Sequence, residues 1–161
     1  MVGRLCGMGE LDRADKMCMQ NLKMVTMINF AISLTVAFFG SLLVKGIFGA
    51  SQAIVDATVI VFFIDVIVET GRGMNHVGQN SLNATGDVLF TTIVSIVAAF
   101  AFSVGLAYVF CTVCGLGMTG LWIAFAVDEL CRATLYIIRW KKGRWKVSFQ
   151  KEFDESKINA D

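Results

Sequence analysis

The sequence predicts an all-α fold, a polytopic bundle of membrane-spanning helices forming one membrane domain over residues 1–161. Three observations predict it. Hydrophobic residues make up 56% of the chain, at a mean hydropathy of +0.67, where a soluble domain carries about 45–50%. The excess is gathered into blocks, and at about 20 apolar residues per span those blocks supply four full crossings. Short glycine-containing turns separate the blocks, and the polar residues that enter them recur every three or four positions, as on one side of a helix.

The elements follow in order. Residues 1–9, MVGRLCGMG, are partly apolar and too short to span. Glu10 to Lys23 is charged and helix-forming, with acids ahead of bases as the helix dipole prefers. It predicts an interfacial helix leading into the first span, roughly 22–48, whose single charge is Lys45 near the far end. Gly46 and Gly49 mark a turn. The second helix, roughly 53–85, is long for a span at about 1.5 Å per residue. Its first half is apolar apart from Asp56, and its second half is polar. Thr85-Gly86-Asp87 is a turn, with Asp87 a candidate N-cap. The third span, roughly 88–114, is rich in small residues such as Ala98, Ala101, Ser103 and Gly105, which allow close helix contact. A glycine turn at Gly115 to Gly120 leads into the fourth span, roughly 118–140, which holds Asp128, Glu129 and Arg132. Lys141, Lys142, Arg144 and Lys146, with Trp140 and Trp145, form an interface anchor of bases and aromatics. From Phe149 the tail is polar and expected to be disordered.

With four crossings both termini lie on one side. Nearly all Lys and Arg fall near them, and only Lys45 stands opposite. The positive-inside rule puts both termini, and the tail 141–161, in the cytoplasm of a multi-pass protein of the cell membrane. The first twenty residues are charged and hold no apolar signal core, so a later helix is expected to direct insertion. A net charge of +1 implies no global attraction to nucleic acid. The five cysteines suggest no disulfide framework, and Cys111-Thr112-Val113-Cys114 lacks the second pair or histidine that a metal site would need.

The polar half of the second helix is the stretch around which the rest is organised. Asp65, Glu69, Arg72, His76, Gln79 or Asn80, and Asn83 fall within a narrow stripe at about 100° per residue. Glu69 and Arg72 sit one turn apart and can pair. Val66, Ile67, Met74 and Leu82 occupy the other faces. In lipid such a stripe must face a protein interior or a water-filled cavity.

Several stretches resemble one family. Val2-Gly3-Arg4-Leu5-Cys6-Gly7-Met8-Gly9-Glu10-Leu11-Asp12-Arg13-Ala14 resembles the loop after the eighth helix of MATE (multidrug and toxic compound extrusion) transporters. Glu69-Thr70-Gly71-Arg72, Asn75, Asn80-Ser81-Leu82 and Gly86-Asp87 resemble the family's tenth helix. Gly115-Leu116-Gly117, Gly120-Leu121-Trp122-Ile123-Ala124 and Asp128-Glu129-Leu130-Cys131-Arg132 resemble its twelfth, and Arg139-Trp140-Lys141-Lys142-Gly143-Arg144-Trp145 its exit sequence. The match runs through nearly the whole chain, in order. It departs from the pattern at Asn83, often Arg, at His76, more often apolar, and in Leu89-Phe90-Thr91-Thr92, which lacks the usual proline.

The resemblance implies twelve helices in two six-helix lobes around a cavity. This chain would supply the last four helices and a stub of the eighth, part of the C-terminal lobe, with the N-terminal lobe as its missing partner. The implied function is efflux of drugs or small organic cations across the bilayer by H+ or Na+ antiport. No covalent change, catalytic residue, metal or cofactor beyond the coupling ion is implied, and the expectation is that the chain alone is inactive. Asp65 and Glu69 are the candidates for coupling, because an antiporter needs a buried carboxylate that holds either a cation or a proton. The plainer reading leaves Asp65 in a wet crevice and Glu69 neutralised by Arg72. Arg72 is favoured as that structural partner. His76 is a candidate proton site, since imidazole changes charge near neutrality, with a hydrogen-bonded filler as the alternative. Asn75, Gln79, Asn80 and Asn83 are cavity or helix-packing amides, each worth about 1 kcal/mol across helices. Asp128, Glu129 and Arg132 form a structural charge cluster, with Glu129 paired to Arg132 or with a bond to Arg72. Two other functions stay open: a flippase of lipid-linked saccharides from the same superfamily, and a free-standing four-helix membrane protein that acts by oligomerising.

Overall fold

The structure, a computed structural model, describes residues 2–47, 51–147 and 149. Five helices carry it, and no strand occurs among the described residues. Helix α1 is Val2–Gly7, α2 is Leu11–Ile47, α3 is Gln52–Ala84, α4 is Val88–Ala98, and α5 is Gly117–Lys141. The chain is an all-α membrane helix bundle. Residues 48–50, with Gly49 of the first expected turn, and 148 and 150–161 of the tail lie outside the described residues, as does the side chain of Lys45.

The expected interfacial helix is not a separate element. No proline or glycine interrupts Leu11 to Phe39, so the charged lead and the apolar span run on as one 37-residue helix. At the far end of α3, Gly86 takes φ 86°, a left-handed value open to glycine. The Asp87 amide then donates to the Leu82 carbonyl at 3.0 Å and closes the helix. Asp87 stands before α4 but does not cap it. Its carboxylate instead accepts from Arg139 Nε and Nη2 at 2.7 and 3.2 Å, because a forked guanidinium on α5 outcompetes a single backbone amide.

The third expected span is continuous but not α-helical throughout. Beyond Ala98 it widens into π-helix over Ala99–Leu106 and again over Val109–Val113. The Cys114 amide donates to the Val109 carbonyl, five residues back, at 2.9 Å. Backbone groups at membrane depth must find internal partners, and the wider turn still supplies them.

Helix α3 packs along α2 on one side and α5 on the other, and α4 lies against α5 through its π-helical stretches. Two glycines let α3 come close. A Cβ on Gly73 would stand 2.5 Å from Asn29 Nδ2 of α2, and one on Gly78 would stand 2.9 Å from the Tyr136 Cβ of α5. The apolar core gathers at the end where α1, the start of α2 and the ends of α3 and α5 meet, around Cys6, Cys18, Leu82, Tyr136, Trp140 and Trp145. This corrects the expected interface anchor. Trp140 and Trp145 are buried and stacked, centroids 4.2 Å apart. Trp140 Nε1 donates to Asp15 at 2.8 Å, and Lys146 reaches Asp12 at 3.1 Å. The indoles find partners on α2, so they bolt the ends of the bundle together.

Among the described residues two helices are apolar and long enough to cross a membrane by length and composition: Leu11–Val44, whose apolar 18-residue stretch has mean hydropathy 2.0, and Val88–Val113, whose stretch has 2.3. Both turn large side chains outward, among them Met27, Phe38 and Phe39 on α2, Leu89 on α4 and Phe100 in the π-helical stretch that continues it. Helices α3 and α5 carry charged residues in mid-helix, Asp65, Glu69 and Arg72 on the one and Asp128, Glu129 and Arg132 on the other, whereas the charges of α2 lie toward its ends.

Candidate functional site

The stripe on α3 points along the seam between its two neighbours, so its side chains divide between them. On the α2 side, Asp65 and Glu69 line a cavity of about 250 Å³ with Asn29, Ile32, Ser33 and Val36. Nearer the α1 end, His76 and Asn80 line a second cavity of about 500 Å³ with Asn21, Met24 and Asn29. His76 is exposed there and makes no hydrogen bond among the described residues. Arg72 and Asn75 meet Glu129 of α5, and Gln79 and Asn83 meet Ser95 and Thr91 of α4. A single stripe thus serves two different surroundings, because α3 is gripped on both flanks.

Asp65 does not stand free in its cavity. Trp122 of α5 donates its indole N–H to Asp65 Oδ1 at 3.0 Å. Glu69 is paired with Arg72, one turn on, as their spacing predicts. Asn29 Nδ2 donates to the Glu69 backbone carbonyl at 3.1 Å, tying α2 to the same turn. Asp56 lies well away, exposed, and among the described residues bonds only to Gln52.

Arg72 also begins a network that crosses to α5. Its Nε lies 3.5 Å from Glu129 Oε1. Arg132 Nη2 reaches the same oxygen at 3.2 Å, and Asn75 Nδ2 donates to Glu129 Oε2 at 2.7 Å. Arg132 Nη2 is also 2.7 Å from Asp128 Oδ2, an oxygen that takes the Ser103 hydroxyl at 3.0 Å. Both pairings open to Glu129 on the sequence are therefore present at once. Buried charges need opposite charges and hydrogen bonds to offset desolvation, and this network supplies most of them. A separate neutral chain runs nearer the core: Gln79 to Ser95 at 3.3 Å, Ser95 to Tyr136 at 2.9 Å, Tyr136 to the Thr91 carbonyl at 3.2 Å, and Thr91 to Asn83.

Sequence reasoning missed Asn29, Ser33, Trp122, Ser95, Ser103 and Tyr136 as partners. The first two had a signal, since they sit one turn apart on one face of an otherwise apolar span. The others are polar groups whose partners come from helices distant in sequence, so no spacing marks them. Among the described residues no group of three or more histidines, cysteines and acids could hold a metal ion. What the arrangement offers is a pair of carboxylates on a small cavity, each held by a donor, beside a cross-helix ionic network.

Comparison with known proteins adds to this geometry. The MatE family model matches residues 1–109. The chain is 32% identical over 145 residues to the "Uncharacterized transporter YisQ" of Bacillus subtilis, covering 90% of this chain and 32% of that protein. It is 21% identical over 146 residues to the "Probable multidrug resistance protein NorM" of Thermotoga maritima, covering 91% of this chain and 31% of that protein. The chain thus spans about a third of the length of these curated relatives. No solved structure matches it.

Proposed function

The chain belongs to the MatE family, and on that premise we propose that it contributes the cation-coupling part of a secondary transporter. The transporter exports drugs or small organic cations and takes up H+ or Na+ in exchange, by alternating access between two lobes. It makes no covalent change in its cargo. The observation that carries this reading is the cavity between α2 and α3, where Asp65 and Glu69 stand together with Asn29 and Ser33. An intramembrane carboxylate is costly unless it serves a purpose, and one on a wet cavity can exchange a cation or a proton with it. Trp122 and Arg72 each engage one oxygen of these carboxylates and leave the second, among the described residues, without a hydrogen-bond donor. The distribution of Lys and Arg supports a multi-pass protein of the cell membrane with both termini in the cytoplasm.

The test uses a full-length transporter carrying this sequence in liposomes with an imposed ion gradient. Asp65→Asn and Glu69→Gln remove charge and keep shape. Together they are expected to reduce gradient-driven efflux at least tenfold, while substrate still binds. Undiminished efflux in the double variant would sink the coupling assignment.

A further inference from the structure

We propose that the cavity between α1 and the charged lead of α2 binds the headgroup of an anionic phospholipid, with Lys16 and Arg13 on its phosphate and Met17 and Leu5 along the start of its acyl chains. The proposal rests on the bundle lying in a membrane and not on the transport reading. The cavity is about 400 Å³ and is lined by Leu5, Arg13, Lys16, Met17 and Gln20. That set is two cations, an amide and two apolar side chains, and among the described residues no acid lines the cavity.

The linear sequence hides this charge. From Glu10 to Lys23 three acids are mixed with three bases, so the lead is neutral as a string. Folding sorts them. Asp12 takes Lys146 at 3.1 Å and Asp15 takes the Trp140 indole at 2.8 Å, both toward the end of α5 and the residues that follow it. Lys16 makes no hydrogen bond or ion pair among the described residues, although Asp12 lies one turn before it. Glu10 accepts from Arg13 Nη1 at 2.8 Å, which leaves Nε and Nη2 of the fork without an acceptor among the described residues. An ammonium and an open guanidinium edge suit phosphate oxygens. Gln20, one turn beyond Lys16, adds an amide donor for the glycerol and ester oxygens.

Position along α2 favours a lipid over a soluble anion. No charge occurs from Met24 to Val44, so the apolar span starts just after Lys23. Gln20 and Lys16 lie about 5 and 10 Å before that point at 1.5 Å per residue, at the depth of the polar headgroup layer. The same side of α2 continues into the span as Met24, Met27 and Ile28, which follow Gln20 at helical spacing. These three are 55%, 72% and 48% exposed. Cations at headgroup depth with bare apolar side chains directly beyond them fit one phospholipid molecule. Free phosphate would leave the apolar part uncovered. Basic pockets beside spanning helices at the cytoplasmic surface attract anionic headgroups in this way.

The experiment is native mass spectrometry of the chain released from detergent micelles, titrated in turn with phosphatidylglycerol, with phosphatidylcholine of the same acyl chains, and with glycerol phosphate. Phosphatidylglycerol is expected to bind about tenfold or more tighter than phosphatidylcholine, and glycerol phosphate, which has the charge without the chains, to leave no retained adduct. Lys16→Gln should weaken the phosphatidylglycerol adduct about fivefold, the worth of one base near an anionic surface. Adding Arg13→Gln should bring the loss to about tenfold or more, less than a second full factor because Glu10 already shares Arg13. Lys16→Arg should keep binding. Lys141→Gln with Lys142→Gln removes the same charge from the same end of the bundle and should change little. All four replaced side chains are exposed, so the packed core is untouched. Equal losses in the two double variants, or no preference for phosphatidylglycerol in the natural chain, overturn the proposal. Glycerol phosphate binding as tightly as the lipid also overturns it, by making the ligand a soluble phosphate.

Discussion

Replacing Gly78 with alanine tests the α3–α5 contact at the point where it is tightest. The new Cβ would stand 2.9 Å from the Tyr136 Cβ, where ordinary contact begins at 3.4 Å. The overlap of about half an ångström cannot be relieved by a rotamer change, because the opposing atom is fixed to the α5 backbone. Tyr136 is fully buried and holds both Ser95 and the Thr91 carbonyl, so moving α5 also strains the seam with α4. Overpacking of this kind costs about 1–3 kcal/mol. A glycine-to-alanine change in a helix also gains up to about 1 kcal/mol of helix propensity, which hides part of the cost. Gly46→Ala removes that ambiguity: it lies in α2, and its Cβ would meet nothing within 4 Å. The measurement is the midpoint of unfolding in mixed micelles titrated with a denaturing detergent. Gly78→Ala should fall below Gly46→Ala by about 1–3 kcal/mol. Equal midpoints for the two variants would show that α3 and α5 do not approach as closely as described, and the reasoning fails.

The remaining predictions concern the ends of the bundle. Arg139→Ala removes a two-pronged bond to Asp87 that is partly shielded from solvent, and also leaves the Phe90 ring without its cation 4.7 Å above. It should cost about 1–2 kcal/mol in the same unfolding assay, and the exchange Asp87→Arg with Arg139→Asp should recover part of it. No recovery in the exchanged variant means the pair is not what joins α4 to α5. Trp140→Phe keeps the stacking on Trp145 but removes the indole donor to Asp15. A loss of about 1.5–3 kcal/mol is expected for a hydrogen bond to a charged acceptor. A melting temperature unchanged from the natural chain would return Trp140 to the role of a membrane-interface residue.

Much of this was legible in the residues. Apolar blocks of spanning length fix where the helices run, because a backbone in lipid has no other partners than its own. The observed helices at 52–84 and 117–141 lie within a residue or so of the expected 53–85 and 118–140. The Glu69–Arg72 pair was legible too, since both members lie on one helix and periodicity brings them together. So was the choice before Glu129, though not that it would take both partners.

What only the tertiary structure decided depends on which helix lies beside which. Local pattern places Asp65 on a stripe, yet the Trp122 donor comes from 57 residues away. The interface anchor was misread for the same reason, since burial of Trp140 and Trp145 depends on the first turns of α2 more than a hundred residues earlier. Asp87 has the right residue type for a cap, but a charged partner on α5 takes it. The π-helical widening of α4 has no sequence signature that we can name. A chain's own periodicity determines which face is polar; the packing of distant helices determines what that face meets, and the bonds to Asp128 follow from that packing.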